Sequence, residues 1–186
     1  MQKEILIAGF GGQGVLFAGQ VMAYAAMDTG KEVTWIPSYG PEMRGGTANC
    51  TVVIADDEIG SPLVKNPPAI IALNLPSFDK YEELVQPGGI LIVNQSMVDR
   101  GASRTGITTV FVPGNEMAEE IGDRRLLNMV MLGALLTRLP ELTIQDVEAA
   151  LSAHLPERHK KLLPQNRTAL QRGYDFALHE LEKQKA

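Results

Sequence analysis

A chain of 186 residues is long enough for one domain with a sizeable core. Its 45% hydrophobic and 21% charged residues are those of an ordinary globular protein and give no reason to expect disorder. A formal net charge of -5 argues against electrostatic attachment to nucleic acid or to an anionic membrane surface.

The apolar run EILIA (4–8) reads as a strand, and it leads directly into Gly9, Gly11 and Gly14, spaced G-x-G-x-x-G. VLFAGQVMAYAAMDTG follows with helical character, and Gly30 is placed to cap its C-terminus. EVTWI reads as a second strand that Pro37 ends. PSYGPEMRGG (37–46) is a shaped loop, dense in Pro and Gly, and TANCTVVIAD is a third strand rich in β-branched residues. AIIALN and GILIVNQS read as buried strands separated by the amphipathic PSFDKYEELVQPGG, and TTVFVP adds another. After Pro113 every segment is helical in period, with a break at Pro164. The expectation is a single α/β domain over 1–186, Rossmann-like, with a mostly parallel sheet, helices on both faces and a helical C-terminal third.

Within that third, RRLLNMVMLGALLTRL is apolar around most of its circumference. One face against a sheet cannot account for it, so either the following helices or a partner chain must cover the rest, and an isolated chain could form a homodimer through it. No run approaches the ~20 apolar residues of a membrane span, and the chain enters a strand rather than a signal peptide, which makes the cytoplasm the default. Cys50 is the only cysteine, which excludes an internal disulfide and a four-thiolate iron–sulfur cluster. His154, His159 and His179 fall on helical patterns and read as surface or capping residues rather than metal ligands. The basic clusters Arg124–Arg125 and 158–161 read as solvated helix faces.

In a dinucleotide-binding turn the first glycine allows the bend, the second lets the backbone approach a pyrophosphate, and the third lets helix and strand pack closely. Gly9, Gly11 and Gly14 fit those roles. The same fingerprint needs an Asp or Glu at the end of the second strand to hold the ribose, and here Ile36, Pro37, Ser38 and Tyr39 stand there. Asp28 and Glu32 belong at the wrong end of the sheet. The nicotinamide reading therefore lacks its discriminating residue, and a purely structural turn stays open beside it. Gln13, expected to be exposed at the helix start, suggests a polar ligand or a partner surface. Arg44 suits a two-pronged clamp on a carboxylate or phosphate, or an ion pair with Glu42.

Taken together, GFGGQGV, SYGPEMRGG and NMVMLGALL, with NRTALQRGYDFA near the end, resemble the gamma subunit or domain of the 2-oxoacid:ferredoxin (acceptor) oxidoreductases. The resemblance covers essentially the whole chain. It implies a subunit without complete chemistry of its own, in a complex that converts a 2-oxoacid and coenzyme A to acyl-CoA and carbon dioxide and reduces ferredoxin. Alpha, beta and ferredoxin-like delta subunits would carry thiamine diphosphate, magnesium and iron–sulfur clusters. Gly11, Gly12, Gln13, Gly14, Tyr39 and Arg44 would then form an edge that meets either the coenzyme A phosphates or the partner subunits. The resemblance leans toward the 2-oxoglutarate or 2-ketoisovalerate type. The small subunit of an indolepyruvate ferredoxin oxidoreductase, a free-standing NAD(P)-binding protein and a non-enzymatic binding module are the alternatives.

Overall fold

The computed structural model describes residues 1–40 and 46–184. Six strands form one sheet: β1 (Gln2–Phe10), β2 (Glu32–Tyr39), β3 (Thr47–Ala55), β4 (Ala69–Ala72), β5 (Ile90–Asn94) and β6 (Thr108–Val112), in the order β2-β3-β1-β4-β5-β6. β1, β4, β5 and β6 are parallel, whereas β3 pairs antiparallel with both β1 and β2. β1 and β2 therefore point the same way on either side of β3, and the ends of both reach the same edge of the sheet. Every residue of β4 and β5 is buried, as expected of strands covered on both faces.

The second strand runs three residues further than the sequence suggests. Pro37 does not end β2 but lies within it, opposite Cys50. β2 is an edge strand, where a missing N–H removes no ladder bond from the sheet interior.

Helices α1 (Val15–Asp28), α3 (Gly114–Ile121), α4 (Leu127–Leu136), α5 (Ile144–His154) and α6 (Leu163–Lys183) contribute to the larger core with the residues of one sheet face, including Ile5, Ile7, Val52, Ile71 and Ile92. The opposite face packs on the short α2 (Leu75–Tyr81) through Ala8, Ile70, Leu91, Val93 and Phe78. Gly30 closes α1 as the sequence suggests: its N–H donates to Met27 O and that of Lys31 to Ala26 O, the paired bonds of a left-handed glycine cap. Thr143 and Asp146 form a reciprocal capping box that starts α5. Pro164 stands in the first turn of α6, where its missing donor costs nothing, so it opens this helix instead of breaking it.

All ten residues of α4 are buried. Its second side is covered by α6, which crosses so closely that a Cβ on Gly133 would stand 2.0 Å from Leu170 O, and one on Gly173 1.9 Å from Val130 O. The apolar helix is thus the chain's own core, and a homodimer built through it is incompatible with this packing. The basic clusters lie outside that core: Arg124 pairs with Glu119 at 2.7 Å and Lys160 with Glu157 at 2.5 Å.

Candidate functional site

β1 and β4 are adjacent and parallel, yet the helix after β1 packs on one face of the sheet and the helix after β4 on the other. The crevice beyond the carboxyl ends of these two strands is the switch point at which open α/β sheets bind ligands. The glycine turn sits there, and it is largely closed on itself.

Gln13 fills the crevice. Its Oε1 accepts from the Phe10 N–H at 2.7 Å and from Asn74 Nδ2 at 3.1 Å, and its Nε2 donates to Leu73 O at 3.3 Å. The expectation of an exposed Gln13 is corrected: the side chain is half-buried and its amide is spent on strand ends and turn backbone. A Cβ on Gly9 would stand 2.7 Å from Gln13 Oε1, so the first glycine of the fingerprint makes room for this amide. The inner donors of the turn are also taken. The Gly11 N–H donates to Gly46 O at 2.9 Å and the Gln13 N–H to Phe10 O at 3.1 Å.

Gly14 has φ 75° and stands at the N-cap of α1. A side chain here would meet Asn128 Nδ2 at 2.4 Å, the group that donates to Gly14 O at 3.2 Å. The third glycine therefore admits the first turn of α4, bringing two distant helices together. α1 has no side-chain cap and no acidic residue in its first turn, which leaves its first N–H groups without intrahelical partners. Beside them is a cleft of about 320 Å³ lined by Gly12, Gly14, Phe17, Arg125, Asn128 and Leu155 among others. Gly12 is exposed, and nothing stands within 4 Å of the place a Cβ would occupy. The guanidinium of Arg125 is engaged by Asp123, at 2.7 Å from its carboxylate.

Tyr39 ends β2 on the same edge, opposite Ala48, as Phe10 ends β1 opposite Thr47. The residue is 55% exposed, which leaves it free for contact. The Gly40 N–H donates to Thr47 O at 2.7 Å and closes the base of the loop. Arg44 and Glu42 lie outside the described residues. The structure thus joins the glycine turn to the base of the second loop through one backbone hydrogen bond, and brings Gly12, Gly14 and Tyr39 to one edge.

No acidic residue terminates β2 at this edge. Asp28 accepts from or pairs with His154 Nε2 at 2.9 Å, with the His154 ring stacked 4.1 Å from Tyr24, and Glu32 begins β2 at the opposite edge. Cys50 is buried behind α1, its Sγ donating to Val15 O at 3.6 Å, and burial pushes its thiol up to about 12. Such a thiol stays protonated and is neither a nucleophile nor a metal ligand at neutral pH. Among the described residues no group of three or more His, Cys, Asp or Glu converges to hold a metal, and no helix is long and apolar enough to cross a membrane.

Sequence reasoning missed Asn74, Asn94 and Asn128. Asn74 caps α2 by accepting from the Ser77 N–H at 2.9 Å while donating to Gln13, and Asn94 Nδ2 donates to Leu73 O at 3.1 Å. Asn ending a buried apolar strand, as in AIIALN and ILIVN, is the one available signal: such an amide needs partners and finds them at the carboxyl edge.

Comparison with known proteins places this architecture. The family model for pyruvate ferredoxin/flavodoxin oxidoreductase matches residues 4–176. The chain is similar to the 2-oxoglutarate synthase subunit KorC of Methanocaldococcus jannaschii, with 35% identity over 181 residues and 95% of each chain covered. It is 37% identical over 186 residues to the ketoisovalerate oxidoreductase subunit VorA of Methanothermobacter marburgensis, covering 97% of this chain but spanning only 38% of that longer one. The crystal structure of a keto/oxoacid ferredoxin oxidoreductase gamma subunit from Geobacter sulfurreducens superposes with a TM-score of 0.80 at 32% identity, covering 95% of this chain and 99% of that one. The chain belongs to the pyruvate ferredoxin/flavodoxin oxidoreductase family.

Proposed function

We propose that this chain is the gamma-type subunit of a multi-subunit 2-oxoacid:ferredoxin oxidoreductase, working in the cytoplasm with alpha, beta and ferredoxin-like delta subunits. The single observation that carries the reading is the similarity to KorC across 95% of both chains. Relatives named for 2-oxoglutarate and ketoisovalerate favour one of those acids as the substrate of the complex.

Thiamine diphosphate with its magnesium ion would supply the decarboxylation chemistry, and iron–sulfur clusters the electron path to ferredoxin, on the partner subunits. The residues here do not suit those groups, since the one thiol is buried and protonated and no metal-ligand cluster converges among the described residues. Coenzyme A suits the chain better. The open first turn of α1, with the exposed Gly12 backbone at its mouth, favours anions because free N–H groups and the positive end of the helix dipole point there.

In this proposal Gly11, Gly12, Gln13, Gly14, Tyr39 and Arg44 act together at one edge, but in different ways. Gly12, Gly14, Tyr39 and Arg44 present the surface to coenzyme A phosphates or to the adjoining subunit. Gly11 and Gln13 act from inside, through backbone they hold in place. Anaerobic affinity purification of the chain from its native cells tests the reading, followed by mass spectrometry and a viologen-linked assay with 2-oxoacids and coenzyme A. Co-purification of thiamine-binding and iron–sulfur subunits with activity on one 2-oxoacid is the expected result. A chain that purifies alone and inert would contradict it and favour a binding module.

A further inference from the structure

We propose that Gln13 is a positioning residue: from inside the β1/β4 crevice it sets the glycine turn that clasps the base of the 40–46 loop. The inference rests on the reading of this edge as the contact surface of an oxidoreductase subunit, and it names the group that holds the edge in shape.

The geometry is a relay of hydrogen bonds. Asn74 Nδ2 and the Phe10 N–H both donate to Gln13 Oε1, while Gln13 Nε2 anchors the amide on Leu73 O at the end of β4. The orientation of the Phe10 amide fixes the start of the next peptide. The adjoining Gly11 N–H then donates to Gly46 O, and across the loop base the Gly40 N–H donates to Thr47 O. The residues after β4 and the turn are therefore tied through one side chain, and the turn to the hairpin through the Gly11 N–H.

A glutamine whose sole role was to meet a ligand would keep donor or acceptor capacity toward solvent. This amide makes three bonds within the chain, and the first glycine of the turn is shaped around it. Substituting Gln13 with Ala would leave the Phe10 N–H and Asn74 Nδ2 without their acceptor in a half-buried place, which loosens the turn. Gln13→Glu is the intermediate variant, because its carboxylate keeps an acceptor for both donors but turns a second acceptor oxygen, in place of the Nε2 donor, toward Leu73 O.

The first arm of the test is amide hydrogen exchange on the full chain. Gln13→Ala is expected to speed exchange at the Gly11 and Gly40 amides by about tenfold, with α4 amides such as Leu132 unchanged, while Gln13→Glu falls between it and the parent. The second arm is steady-state kinetics in the assembled complex. There Gln13→Ala is expected to raise KM for coenzyme A by about fivefold with kcat nearly unchanged, and Gln13→Glu to raise it less. A merely space-filling side chain would alter exchange throughout α1 and β1 and leave the KM alone. Unchanged exchange at Gly11 and Gly40, or changed exchange with an unmoved KM, overturns the proposal. If exchange responds as expected but the parent complex turns over no 2-oxoacid, the subunit reading fails and the clasp stands.

Discussion

Two regions of this molecule depend on glycine for close approach, and they differ in how openly they declare it. At the carboxyl edge of the sheet, Gly9, Gly11 and Gly14 have the spacing of a nucleotide-binding turn. In the core, Gly133 and Gly173 lie 40 residues apart and have no glycine-rich spacing to mark them, yet a Cβ on either would stand 2.0 Å or less from a backbone oxygen of the facing helix. The conspicuous glycines serve a turn whose inner N–H groups, of Phe10, Gly11 and Gln13, are met by Gln13 Oε1, Gly46 O and Phe10 O, while the first turn of α1 stays open. The inconspicuous ones let α4 and α6 pack nearly backbone to backbone. Spacing therefore identifies a shape of turn, and only the fate of each N–H group shows whether a ligand has anything left to bind.

The comparison can be broken most easily in the core. Gly173→Ala places a methyl group against Val130 O, a rigid backbone atom in the middle of α4, with no flexible side chain to give way. We expect a loss of about 3 kcal/mol or more in urea unfolding, or no soluble chain at all. A loss below about 1 kcal/mol would mean that the two helices can separate cheaply and that the crossing is not a fixed feature.

Gly14→Ala should cost less, about 2 kcal/mol, because the left-handed conformation is strained for any side chain while Asn128 can partly withdraw. Combining Gly14→Ala with Asn128→Ala sharpens the point. If the third glycine exists to admit Asn128, the two losses are less than additive in a double-mutant cycle, and full additivity would count against it.

A smaller effect separates both glycine regions from the rest of the molecule by its response to pH. Glu82, 3% exposed, is buried on the other face of the sheet. Burial opposes its charge, but the N–H groups of Arg104 and Ser103 and then the Arg100 guanidinium outweigh this and hold its carboxyl below the usual range. Its stabilisation is therefore present above the unfolded carboxylate range and lost as pH falls through the lower folded value. Glu82→Gln should cost about 1–2 kcal/mol at neutral pH, with the difference from the parent shrinking below about pH 4. A difference that stayed constant with pH would contradict the account.

Much of the fold was legible because alternation of strand and helix signals is a local property. EILIA, GILIVNQS and TTVFVP became β1, β5 and β6, and the apolar circumference of RRLLNMVMLGALLTRL correctly demanded cover on two sides. What stayed hidden depends on contacts distant in sequence. The direction of β3 and the passage of β2 through Pro37 follow from sheet order, which no window of residues encodes. The closure of the crevice by Gln13 needs Leu73 and Asn74, sixty residues away, so the residue read as outward-facing alone faces inward in the fold. Gly12, Gly14 and Tyr39 lie at one edge of the sheet, with β3 between the ends of β1 and β2, because β1 and β2 point the same way.

The central proposal is that this chain completes a 2-oxoacid oxidoreductase. Its most direct test is coenzyme A-dependent reduction of ferredoxin by the purified partner subunits, anaerobically, with and without this chain. The account predicts 2-oxoacid turnover that requires the chain. Turnover that is the same in its absence, at every coenzyme A concentration, would contradict it.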